Sequence, residues 1–157
     1  MSVGEQDIPR PPEIGVGDLP FNRFLGVEAS RRPDLGPFQL DEMPRYANHL
    51  GSVHVCAQFA LAEACIGSVV SAALKTGQHS GPAVMRRAEV RFREPAYGAV
   101  YARPAAASEG LIERAMAELG QRGRSRVALE AVVVDARGAE TLRATFEWVF
   151  QTRPLTP

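Results

Sequence analysis

A glutamate in the middle of an apolar segment is the first residue that could do chemistry. Glu63 is flanked by Ala60, Leu61, Ala62, Ala64, Cys65 and Ile66. Taking a carboxylate out of water is costly unless it is paired or protonated, and such surroundings raise its pKa, as in many catalytic carboxylates. A glutamate satisfied by a neighbouring backbone group is the ordinary alternative. The second feature lies upstream. His54 falls in the first turn of the same predicted helix, where backbone N–H groups have no intrahelical partner. Those groups and the helix dipole suit a developing oxyanion, and Asn48 offers an additional side-chain donor. Taken singly, Asn48 and His49 read as loop residues and His54 as a capping or core histidine. Nine residues on an α-helix turn through about 900°, so His54 and Glu63 point to opposite sides. One chain can hardly bring both to one substrate.

These residues need elements to hold them. Residues 53–74 (VHVCAQFALAEACIGSVVSAAL) are apolar on nearly every face, which predicts one helix buried all round. A membrane span is long enough to compete, but His54, Gln58 and Glu63 oppose it, as does the lack of a basic cluster at either end. Ser52 is a candidate N-cap and Gly77 a stop. Upstream, residues 19–25 read as a short helix with Pro20 near its first turn, and residues 26–29 and 38–40 as a hairpin across RRPDLGP. After Gly81 the period becomes two. Arg86, Ala88, Val90 and Phe92 share one face, and Arg87, Glu89, Arg91 and Arg93 the other. Residues 99–107 follow as a strand and 110–119 as a short amphipathic helix. Residues 126–134 and 140–150 then pair across DARG. This order predicts an α+β fold, a long central helix lying on a curved antiparallel sheet. A flexible tail is expected over residues 1–17, one domain over 18–152, and a short tail over 153–157.

Composition narrows the function. With 157 residues and 45% hydrophobic content, the chain suits one globular core. Eighteen basic residues balance 18 acidic ones, which argues against broad nucleic-acid binding. Arginine supplies all the basic residues except Lys75. Cys56 and Cys65 read as buried reduced thiols, and the N-terminal residues lack a secretory pattern, so a cytoplasmic location is expected. His49, His54 and His79 lack ligand partners at metal-site spacing, and there is no Gly-rich phosphate loop or GxSxG elbow. No metal and no cofactor are expected.

Asn48, Gly51, His54 and Glu63 together spell N-x-x-G-x-x-H-x(8)-E. This resembles the signature of the PaaI-type (phenylacetyl-CoA) thioesterases, within the 4-hydroxybenzoyl-CoA thioesterase superfamily of hotdog folds. Their pattern is N-x-x-G-x-x-H-G-G followed by an Asp or Glu on the central helix. VRFREPAYGAVYA resembles the strand, proline and glycine that follow that helix, and VVVDARGAETLRATFEWVF the closing hairpin. The resemblance spans residues 22–150 and is nearest to an uncharacterised branch with an NHxG start and a helical Glu. It implies a hotdog fold and hydrolysis of an acyl thioester, on coenzyme A or a carrier protein. By the same resemblance Glu63 would be general base or nucleophile. Asn48 and the N–H of Val55 would form the oxyanion hole, and His54 would fix the loop and helix start. It also implies a homodimer, with a tetramer compatible, in which each site takes its base from one chain and its oxyanion donors from the other.

Three departures stand out. The HGG of the pattern is His54-Val55-Cys56, so a branched side chain occupies space the pattern leaves empty. Met85 stands where a Ser or Thr is common, and residues 110–119 look helical where compact members continue in strand. Arg87, Arg91 and Arg93 could meet the phosphates of coenzyme A, and Arg122, Arg124 and Arg126 form a second candidate cluster. The ordinary reading of either set is a solvated outer face. Two other functions fit the resemblance. One is a non-catalytic acyl-thioester binding hotdog, favoured by Val55. The other is a hotdog dehydratase or hydratase using His49 and Glu63, fourteen apart, though HLGSVHVCAQ has none of the prolines such enzymes carry.

Overall fold

The computed structural model describes residues 15–77, 79 and 81–152. Residues 1–14 of the expected N-terminal tail and the expected tail at 153–157 lie outside the described residues, while Val16 and Gly17 of the former join Asp18 in a 3-10 turn.

Pro20 opens α1 (Pro20–Leu25), where its missing N–H costs nothing, and Gly26 ends the helix with φ +82°. The hairpin follows as β1 (Glu28–Ala29) and β2 (Phe38–Leu40). Gly36 in their connection presses against β4 (Val100–Pro104), where a Cβ would sit 2.2 Å from the carbonyl oxygen of Ala102. This close approach seats Leu35 against Tyr101, Val132 and Val134, a small second apolar cluster.

The long helix α2 is Val55–Thr76. It starts two residues later than the sequence suggests. Val53 is held extended, bridged to Ala47 and donating its N–H to the Ala96 carbonyl at 2.8 Å. Ser52 is not the cap: it is buried against Asn48, and His54 caps the helix instead. Nor is α2 buried all round. Ala57, Leu61, Ala64, Cys65 and Ile66 are buried, but Cys56, Ala60, Glu63, Gly67 and Ser71 form a face that is only half covered or exposed. The helix is long and apolar enough to cross a bilayer, yet its buried side is core packing against the sheet.

Three long strands complete the sheet: β3 (Ala83–Phe92), β5 (Arg124–Asp135) and β6 (Glu140–Gln151). The order is β1-β2-β4-β5-β6-β3, and every pairing is antiparallel. Strand alternation sends Leu129, Leu142, Phe146 and Phe150 to the face that meets Leu61, Cys65, Ile66 and Val70 of α2. Each fully buried Leu, Ile or Phe there contributes about 1.5–3 kcal/mol. β4 stops opposite Ala131, and α3 (Leu111–Arg122) packs beside the remaining half of β5 with Ile112, Ala115 and Leu119 inward. The expected helix in this region is therefore present, and it extends to Arg122.

β3 is an edge strand. It pairs with β6 on one side and, among the described residues, with nothing on the other. Its alternation also breaks once: a bulge between Met85 and Arg87 takes Arg86 off the face it was expected to share with Ala88, Val90 and Phe92.

Candidate active site

The loop before α2 is built by Asn48. Its side-chain oxygen accepts the N–H groups of Leu50 at 2.9 Å and Ser52 at 3.1 Å, and its amide donates to the Ser52 hydroxyl at 2.9 Å. The Asn48 backbone N–H reaches the Ser52 carbonyl, and Gly51 closes the turn with φ +73°. The N-x-x-G spacing is thus that of an asparagine-held turn with a left-handed glycine. One of the two amide hydrogens of Asn48 is engaged by Ser52, which leaves the other for a ligand.

His54 sits outside the first turn, as the cap. Its Nδ1 accepts the N–H of Cys56 at 3.1 Å, and its own N–H donates to the Tyr46 carbonyl at 2.6 Å. The N–H groups of Ala57 and Gln58 both reach the His54 carbonyl. Among the described residues, the N–H of Val55 has no acceptor, so it is the one open donor in the turn's first positions.

A buried chain of polar groups anchors this helix start to the sheet. Gln58 donates to the Val53 carbonyl at 3.0 Å and accepts from Thr141 on β6 at 2.7 Å. Both residues are buried. Sequence reasoning used Gln58 only against a membrane span and missed Thr141. The signal was a lone amide in an apolar helix, which must find a partner. Replacing Thr141 by valine keeps the shape and orphans the Gln58 oxygen, so urea unfolding should show a loss of about 1–3 kcal/mol.

A cavity of about 320 Å³ opens beside this start. Asn48, Val55, Gln58, Phe92, Arg93 and Thr141 are among the residues that line it, as are His49 and Leu50. Val55 is 38% exposed and Phe92 56%. Asn48, Val55 and Arg93 therefore meet at one place. Arg93 is also tied to Glu140 at 3.3 Å.

Glu63 does not line this cavity. It lies eight residues beyond Val55, about 12 Å along the helix axis and about 80° around it. It is half-buried on the uncovered face of α2, and among the described residues no hydrogen bond or ion pair reaches its carboxylate. Gly67, one turn on, adds no side chain beside it. Burial pushes the Glu63 carboxyl above its ordinary 4.5. Arg87 and Arg91 stand apart on the outer face, 72% and 67% exposed, loosely flanking Glu89 at 3.8 and 3.6 Å. Of the three expected phosphate-binding arginines, only Arg93 reaches the cavity.

Cysteine placement also differs from expectation. Cys65 is buried, and its thiol is pushed up to about 12 by desolvation, but Cys56 is exposed. Its position in the first turn at the loop surface takes it out of the core. No group of three metal-ligating side chains occurs among the described residues.

A long helix lying on a six-stranded antiparallel sheet, with an asparagine-held loop at the helix start, is the layout of a hotdog fold. Among solved structures, a Pseudomonas aeruginosa protein of unknown function, a probable thioesterase, matches with a TM-score of 0.69 at 22% identity, over 87% of this chain and 90% of that one. A Chlorobaculum tepidum protein of unknown function matches with a TM-score of 0.66 at 14% identity, over 86% and 88%. A Bacillus halodurans protein solved with CoA matches with a TM-score of 0.58 at 20% identity, over 83% and 77%. The chain belongs to the family described as Domain of unknown function (DUF4442), whose model matches residues 27–150. No curated protein matches it significantly.

Proposed function

We propose that the protein is an acyl-CoA thioesterase acting as a homodimer, with each site shared between two chains. The observation that carries this reading is the separation of its parts. Asn48 and Val55, whose N–H is open, line one cavity, while the unpartnered Glu63 lies outside it on an uncovered helix face. A second copy paired antiparallel along the free edge of β3, with the two helix flanks alongside each other, would bring Glu63 of one chain to the cavity of the other. The exposed Phe92 at the end of that edge gives the contact apolar surface. The CoA held by a structural relative supports the substrate class.

The chemistry is then simple. The thioester carbonyl oxygen accepts from the Val55 N–H and the Asn48 amide, which stabilise the tetrahedral oxyanion. The partner chain's glutamate, ionised, either takes a proton from the attacking water or attacks the carbonyl carbon itself. In the base route the C–S bond breaks and the thiolate leaves with the proton taken from water. In the nucleophile route the thiolate leaves with a proton from solvent, and water then hydrolyses the acyl–glutamate anhydride, releasing the acid and restoring the carboxylate. Thiol release from a panel of acyl-CoAs tests the reading. No release from any of them, with tight binding of one, would replace the hydrolase by a binding protein.

Light scattering at micromolar concentration should return a dimer or a multiple of it. A monomer would count against any shared site. Val55→Gly should raise turnover, because the branched side chain narrows the approach to its own N–H. The cost in helix stability should stay near or below about 1 kcal/mol at this first helical position. Unchanged or lower turnover in a folded variant would show that the valine is not an obstruction.

A further inference from the structure

The bulge in β3 places Arg86 on the border of a groove of about 530 Å³. Arg122 from the last turn of α3 and Arg124 and Arg126 from β5 line the same groove. Four guanidinium groups thus converge from three elements, one of them brought there by a local irregularity. Two carboxylates oppose them. Glu118 holds Arg122 at 2.9 Å, whereas Glu147 approaches Arg126 only to 3.7 Å. Among the described residues Arg86 and Arg124 form no ion pair. The Ser125 hydroxyl, in a buried residue bordering the groove, also lacks a hydrogen-bond partner.

The groove therefore carries an excess of two positive charges in a chain whose formal net charge is zero. Unpaired like charges held together repel, and a bound anion relieves that repulsion. Planar guanidinium groups converging on a small space suit phosphate, which they bind through paired hydrogen bonds. The positive field does not continue along the sheet. Arg87 and Arg91 flank Glu89, and Arg143 is bound between Glu130 and Glu140. That interruption excludes a long polyanion track and points to a compact, small-molecule anion.

We infer that this groove, and not the Arg87–Arg91 face, binds the phosphate groups of coenzyme A; the identity of the ligand rests on the thioesterase reading above. Arg86 and Phe92 lie six residues apart on β3, roughly 20 Å. Within one chain the groove and the cavity are at opposite ends of the edge strand. The antiparallel pairing of two β3 edges proposed above would set each groove toward the partner's cavity.

The test is calorimetric titration with coenzyme A, dephospho-coenzyme A, pantetheine and inorganic phosphate, on wild type and on the double variant Arg86→Ala/Arg124→Ala. Neither arginine holds a carboxylate, so their removal orphans no charge, and melting curves check the fold. The variant should bind coenzyme A roughly tenfold or more weakly, with pantetheine binding unchanged. It should also turn over a phosphate-free acyl-N-acetylcysteamine thioester at the wild-type rate. Equal affinity of both proteins for coenzyme A overturns the inference, even if acyl-CoA is hydrolysed. So does inorganic phosphate binding as tightly as coenzyme A, which would mark a general anion site. Loss of activity confined to carrier-protein thioesters, with coenzyme A binding unaffected, overturns it in favour of a protein partner. Arginine-dependent coenzyme A binding without any thioester turnover upholds the groove and sinks the hydrolase.

Discussion

Glu63→Gln is expected to cut thiol release by roughly 100-fold or more while leaving the fold intact, the scale of losing a positioned acid–base group. The structure sharpens this expectation with a sign for stability. Burial raises the Glu63 carboxyl above 4.5, so the folded state prefers the neutral form. The contribution of this group to stability is full below the unfolded value and is lost as pH rises through the folded one. Glutamine is neutral at every pH. The variant should therefore match wild type in acid and be at least as stable above the folded pKa. Turnover runs the other way. Base or nucleophile must be ionised, so kcat/KM of wild type should rise with pH along a limb that lies above 4.5. That limb should be absent from the residual activity of the variant. Melting curves and rate profiles across pH 4–8 measure both. Wild-type turnover in the glutamine variant would remove Glu63 from the mechanism.

The second large effect concerns Asn48, which does two things that alanine cannot separate. Its oxygen holds the turn and its amide is the proposed oxyanion donor. Asn48→Ala should lose both, with turnover down roughly 100-fold and stability down by about 1–2 kcal/mol. Asn48→Asp keeps oxygen acceptors for the N–H groups of Leu50 and Ser52 but removes the donor. It should lose turnover on the same scale and keep most of the stability. Thiol release and denaturation measured together decide between the roles. An active aspartate variant would reduce Asn48 to a loop residue.

The loop at Asn48, the strand after Gly81 and the closing hairpin were legible because each rests on local chemistry. A polar run ahead of an apolar one, a period of two, and DARG between apolar runs are short-range signals. The helix start was not. Ser52 is a better cap by residue type than His54, but its hydroxyl is drawn to Asn48, and Val53 is held extended by Ala96, far along the chain. The uncovered face of α2 was invisible for another reason. Cys56, Ala60, Gly67 and Ser71 are small and weakly polar, and such residues look the same whether their own chain or a second one covers them. The Arg86 bulge left no mark in the alternation, since a bulge adds one residue without demanding a particular type. Glu63 was conspicuous as a charge in an apolar run, yet its distance from the cavity could be inferred only through helix geometry.

The bond between Gln58 and Thr141 spans 83 residues, and it has a consequence for the order in which the molecule comes together. The body of α2 can wind up from local contacts soon after it leaves the ribosome. Its first turn cannot be fixed until Ala96 and then β6, near the end of the chain, have arrived. Closing such long loops is slow compared with helix formation. The cavity is therefore among the last parts to mature. Once formed, it cannot flicker open by fraying one loop, because loosening it means detaching the helix from the final strand. Maturation of the cavity and resistance to unfolding are in this way tied to the same late event.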